Sequence, residues 1–125
     1  MKKPTFLKSL THAWDGVVFT VRTQRNARIH VVMGCVVLGL ATWLQLDRLS
    51  LAVLVLTIGA VLAAETINTT VEALVDLLSP EFHDRAKIAK DVAAGAVLIV
   101  SLAAIVIGVL LLGPPLWQRL FSANT

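Results

Sequence analysis

Apolar residues follow two rhythms along this chain. Before residue 24 they are spaced: Phe6, Leu10, Ala13, Trp14, Val17 and Val21 return every three or four positions, while Lys8, Asp15 and Arg22, seven apart, share another face. That spacing predicts an amphipathic helix over 5–24. It suits a membrane interface, either as a plain surface anchor or as a lid over a site. From residue 29 onward the apolar positions become continuous. Three runs stand out: IHVVMGCVVLGLATWLQL (29–46), LAVLVLTIGAVLAA (51–64) and VAAGAVLIVSLAAIVIGVLLL (92–112). A spanning helix needs roughly 20 predominantly apolar residues. The expected architecture is therefore all-α and integral to the membrane, a single domain over 1–125, with spans at 29–47, 50–78 and 91–113 and a link at 79–90.

Composition supports this reading. Of 125 residues, 57% are hydrophobic and only 15% are charged, and the mean hydropathy is +0.81. A soluble domain of this size needs more charge to cover its surface. The net charge of +3 is modest, and no basic face interleaved with aromatics points to nucleic acid. Cys35 stands alone in an apolar run, so no internal disulfide is available. The start, MKKPTFLKSLTHAWDG, is basic but leads into no compact apolar core with a small-residue cleavage site, so insertion is expected to rely on the internal spans. Lys2, Lys3, Lys8, Arg22, Arg25 and Arg28 precede the first span, and Arg85, Lys87 and Lys90 lie in the 79–90 link; the 46–50 link has only Arg48 and the tail only Arg119. The positive-inside rule then places the N-terminus and the 79–90 link in the cytoplasm and the C-terminus outside. Trp43 and Trp117 fall near span ends, where aromatic belts lie.

The second span departs from this apolar rule. Residues 63–76 read AAETINTTVEALVD. With Glu65 at zero and about 100° per residue, Glu72 falls near about −20°, Asp76 near about +20°, Thr69 near about +40° and Asn68 near about −60°. All share one face, and Glu65 and Glu72 stand about 10 Å apart along the axis. Asn and Thr alone would serve as glue between helices. Two carboxylates and an asparagine on one stripe point instead to function, because such groups are costly in hydrocarbon. A carboxylate withdrawn from water is the better base, and a second one two turns away suits a hard cation such as Mg²⁺. Lys87 and Lys90 could meet phosphates at the cytoplasmic end, with Asp91 holding a metal or orienting a lysine. Neither a P-loop nor a glycine-rich kinase loop is present, so spacing alone stops at an acid/base site beside a cation or phosphate.

The run AAETINTTVEALVDLLSPEFHDRAKIAKDVAAGAVLI (63–99) closely resembles the prokaryotic diacylglycerol kinase family. The pattern E-x-x-N-[ST]-x-x-E-x-x-x-D is matched by Glu65, Asn68, Thr69, Glu72 and Asp76. It is followed by Ala89, Lys90 and Asp91 and a small-residue helix start at Ala93, Ala94, Gly95 and Ala96. HAWDG (12–16) and RNARIH (25–30) also resemble the family, the latter its Gram-positive and cyanobacterial branch, which includes undecaprenol kinases. The resemblance implies a homotrimer of three-span chains with an interfacial N-terminal helix, sites built partly between protomers, and transfer of the γ-phosphate of MgATP to a lipid hydroxyl. It implies Glu65 as the base that meets the acceptor, Asn68 as the residue positioning acceptor and base, Glu72 as metal ligand, and His12, Gln24, Glu72, Glu81, His83, Lys90 and Asp91 as nucleotide-binding positions. Residue 24 is Gln where the family commonly has a metal-binding Glu, which weakens the expected second metal position. The expected acceptor is diacylglycerol, with undecaprenol as the alternative. A small proton-coupled transporter using Glu65 is a reading from another class, opposed by Glu72 and the Lys90–Asp91 pair; a non-catalytic assembly partner is a third.

Overall fold

The computed structural model describes residues 5–79, 81 and 83–121. They form four helices: α1 (Phe6–Thr23), α2 (Arg25–Trp43), α3 (Arg48–Leu78) and α4 (Asp84–Phe121). Three of these, α2, α3 and α4, are long and apolar enough to cross a membrane. At about 1.5 Å per residue, the 31 residues of α3 reach about 46 Å and the 38 of α4 about 57 Å. Both exceed a hydrocarbon core of about 30 Å. The surplus of α3 is its polar stripe, and that of α4 includes Pro114 and Pro115, through which the helix continues beyond the apolar run at 92–112.

α3 packs along α4 over most of its length, α2 lies against α3, and α2 barely meets α4. Gly34 lets α2 approach closely: a Cβ there would stand 2.9 Å from the Ile58 Cγ2 of α3, the small-residue contact by which membrane helices pack. The apolar core gathers at one end, around Ala41, Leu44, Leu54 and Leu112. Elsewhere large apolar side chains face outward, among them Val32, Val36, Val55, Leu56, Ile99, Ile105, Val106 and Val109. Water would penalise that surface and lipid does not. Hydroxyls along the helices bond back one turn: Thr57 donates to the Val53 carbonyl at 2.7 Å and Thr66 to that of Leu62 at 2.8 Å. Each satisfies a polar group where water is absent.

The link between α2 and α3 is built from two signals. α2 stops in a Schellman arrangement, with the Leu46 amide donating to the Ala41 carbonyl at 3.1 Å and the Gln45 amide to that of Thr42 at 3.1 Å. The residue in the left-handed region is Gln45, at φ 56, where glycine is the usual occupant. α3 then starts on Asp47, whose carboxylate accepts from the Leu49 and Ser50 amides at 2.9 and 3.1 Å. The Ser50 hydroxyl also donates to it. These bonds, the Ser50 hydroxyl's foremost, hold the Asp47 carboxyl below its ordinary range.

Candidate active site

Gln24 is the single residue between α1 and α2. Its extended backbone closes α1, its amide donating to the Thr20 carbonyl at 2.8 Å, and the next residue opens α2. This elbow aims the side chain at α3: Gln24 Nε2 donates to Glu72 Oε2 at 3.1 Å. The other oxygen of the same carboxylate accepts from Asn68 Nδ2 at 2.9 Å, one turn back on α3. Two amides on two elements thus hold one carboxylate. The Asn68 Oδ1 that remains is buried with no hydrogen-bond partner among the described residues.

Glu65 is the other carboxylate of the stripe and the more deeply set, 2% exposed. Thr69 donates to its backbone carbonyl at 2.8 Å, not to its side chain. The group nearest the carboxylate is His30 of α2, whose Nε2 lies 3.3 Å from Glu65 Oε1. That is ion-pair distance, yet the ring N–H is not aligned on the oxygen, and Oε1 has no hydrogen bond among the described residues. His30 also lines an apolar groove of about 560 Å³ between α2, α3 and α4, with Gly34, Val61 and Ser101 among its walls. His30 was not among the residues the sequence singled out for the site. Its histidine closes the RNARIH segment, but one helix's periodicity cannot say which α2 face meets α3.

The structure unites Gln24, Asn68 and Glu72, and sets Glu65 on the same face. Lys90, at the start of α4, bonds to Asp76 at the far end of the stripe. Among the described residues, no hydrogen bond or ion pair joins His12, Glu81, His83 or Asp91 to the stripe. His12 is exposed on α1 and Asp91 on α4. In the α3–α4 link, the Glu81 carbonyl accepts from Ser79 Oγ at 3.2 Å, and His83 Nδ1 accepts from the Arg85 amide at 3.1 Å. α1 covers the other side of the stripe, where Gly16, Phe19 and Thr20 face Thr66, Thr69, Thr70 and Leu74 across a pocket of about 310 Å³.

The donor set can be tested against a divalent cation. Mg²⁺ takes hard oxygen ligands, holds one or two carboxylates, and keeps other positions for phosphate or water. Glu72 supplies a carboxylate, and the amides of Asn68 and Gln24 would offer their oxygens on turning over. The orphaned Asn68 Oδ1 favours that, so the residues fit the ion. Among the described residues no group of three or more His, Cys, Asp or Glu stands together, so an ion here would need ligands beyond these side chains.

Fold and site together define a multi-pass membrane protein carrying a carboxylate–amide site on one spanning helix. Similarity to known proteins adds the family. The family model described as prokaryotic diacylglycerol kinase matches residues 11–112. A Synechocystis protein named diacylglycerol kinase is 46% identical over 114 residues, covering 90% of this chain but 65% of its own length. The chain thus spans less than two thirds of that relative. A Bacillus subtilis protein named undecaprenol kinase is 38% identical over 111 residues, covering 89% of this chain and 90% of its own. The Escherichia coli K12 diacylglycerol kinase is 27% identical over 106 residues, covering 85% and 87%. The chain belongs to the prokaryotic diacylglycerol kinase family, a family of lipid kinases.

Proposed function

We propose that this protein is a membrane lipid kinase that transfers the γ-phosphoryl group of ATP to the hydroxyl of diacylglycerol, giving phosphatidic acid. The carrying observation is the stripe itself. A buried carboxylate with no aligned donor, Glu65, and an amide-held carboxylate, Glu72, stand on one helix that also bears a long apolar segment. The lipid hydroxyl comes from the bilayer and the nucleotide from water, and such a helix serves both.

In this reading Glu65 takes the proton of the acceptor hydroxyl. The freed oxygen forms its bond to the γ-phosphorus as the bond to the β,γ-bridging oxygen breaks, and ADP leaves with that electron pair. Asn68 positions the acceptor and, through its hydrogen bond, Glu72. Glu72 with Gln24 would hold Mg²⁺; charge neutralisation at the phosphoryl oxygens is what the ion supplies when bound. Lys90, held by Asp76, stands as the phosphate-facing cation, while His12, Glu81, His83 and Asp91 complete the nucleotide contacts. Their exposure suits a ligand that arrives from water. The chain acts as a homotrimer in the bacterial cytoplasmic membrane, N-terminus inside and C-terminus outside. α1 lies in the interface, its exposed Phe6, Leu7, Leu10 and Trp14 turned to lipid.

A second reading keeps the chemistry and replaces the acceptor with undecaprenol. The Bacillus relative's name and the RNARIH segment favour it. The deciding experiment is a radiolabelled-ATP assay of the purified protein in lipid nanodiscs, with diacylglycerol and undecaprenol in parallel. Label in phosphatidic acid is expected; label only in undecaprenyl phosphate selects the second reading. No turnover of either lipid removes the kinase. Glu65→Gln serves as the internal control, with kcat falling about 10²–10⁴-fold, the usual worth of general-base assistance.

A further inference from the structure

We infer that His30 is a positioning residue for Glu65 and the first stop for the proton that Glu65 removes from the acceptor. This rests on the proposed role of Glu65 as base. The starting observation is isolation: Glu65 is 2% exposed, and its own helix directs no donor at the carboxylate. Asn68 is committed to Glu72, and Thr69 to a backbone carbonyl. What faces the carboxylate from outside its helix is the His30 imidazole, at 3.3 Å.

A buried base must be discharged after each cycle. Once Glu65 has taken the hydroxyl proton it is a neutral acid with almost no contact with water, and it cannot act again until that proton leaves. His30 is 25% exposed, so the imidazole bridges the enclosed carboxylate and the outside. It lies five residues into α2 from Arg25, about 7.5 Å along the helix, so the path to the membrane surface is short. The cycle balances. The proton passes from the lipid hydroxyl to Glu65, from Glu65 to the imidazole, and from the imidazolium to bulk water; the γ-phosphoryl group moves from ATP to the lipid oxygen, and ADP leaves. The imidazole is also the one ionisable group within ion-pair reach of Glu65 among the described residues, which puts it where it can orient the carboxylate. From α4, the groove walls near it present Ser101 and Ala104, neither of which titrates.

The test uses the assembled protein in nanodiscs. His30→Gln keeps hydrogen bonding but cannot carry a proton, and His30→Ala leaves room for free imidazole. Both are checked for wild-type assembly before kinetics. The expected result is a fall in kcat of about 10–100-fold, the scale seen when a group that orients a metal ligand is lost, with KM for ATP unchanged. Added imidazole should restore part of the His30→Ala rate. The dependence of kcat on pH should differ between wild type and His30→Gln. Unchanged kcat in His30→Gln overturns the inference while the kinase stands. So does a loss with neither imidazole rescue nor an altered pH profile, because a merely structural His30 would give that pattern. If His30→Ala does not assemble, the pH profile of His30→Gln decides alone. A wild-type protein inactive on both lipids would sink the kinase reading first, and this inference with it.

Discussion

Glu72 is held by two amide donors, Gln24 and Asn68. Gln24 Nε2 approaches to 3.1 Å, so the metal-free protein gains a hydrogen bond and avoids a like-charge clash. Glutamate at position 24 would reverse both. Two carboxylates at that spacing repel unless a cation joins them. Gln24→Glu is therefore expected to lower the Mg²⁺ concentration needed for half-maximal activity and to lower the Tm in chelator, a loss that Mg²⁺ restores. A variant with an unchanged Mg²⁺ requirement would show that position 24 does not touch the ion. The stripe of Glu65, Asn68, Thr69 and Glu72 was legible in the sequence because all four lie on one helix, where periodicity alone sets the face. The partners of the two carboxylates were less legible. Gln24 stood out only through the family pattern, and His30 did not stand out at all. Contact between α2 and α3 depends on packing details such as Gly34 against Ile58, which no single helix encodes.

At the scale of elements, the short link between α2 and α3 carries the clearest local conflict. Its Schellman stop and the Asp47 cap both favour a sharp reversal, and Leu46 packs onto the cluster around Ala41 and Leu44. Gln45 sits between them at φ 56, a conformation that costs an L-residue about 1–2 kcal/mol and glycine almost nothing. Glycine also loses more freedom on folding, which offsets part of that gain. Gln45→Gly is expected to raise thermal stability by the equivalent of about 0.5–1 kcal/mol without changing kcat, as measured by thermal unfolding in detergent. A lowered Tm would mean that the Gln45 side chain makes a stabilising contact that outweighs the strain. The sequence showed a short link here and three long apolar helices, because composition and run length suffice for both. It did not show α4 running to Phe121. Two consecutive prolines suggest a stop, yet proline already holds a helix-compatible φ. Pro114 and Pro115 forgo the amide bonds to the Leu110 and Leu111 carbonyls and crowd them, yet the helix continues through both.

At the scale of the whole molecule, charge and surface argue for one orientation. The described helices expose large apolar side chains over most of their length, so lipid is their solvent, and the ends of α2, α3 and α4 must lie on opposite sides. At one end are the Glu65–Glu72 stripe, the α1–α2 elbow with Arg22, Arg25 and Arg28, and the link with Arg85, Lys87 and Lys90. At the other are the apolar core, Arg48 and Arg119. The latter stacks its guanidinium 4.6 Å from the Trp43 ring, a cation–π contact suited to a membrane interface. The basic end is the one expected to face the cytoplasm, where ATP is found. Single cysteines test this in a Cys35→Ala background. With a membrane-impermeant thiol reagent on intact cells, Arg48→Cys should label at once and His83→Cys only after permeabilisation. Both variants must first be shown to assemble as the wild type does, so that the labelled molecule is the folded one. Labelling of His83→Cys from outside would place the stripe on the wrong side for cytoplasmic ATP. The nucleotide-binding reading would then fail, whatever chemistry Glu65 performs.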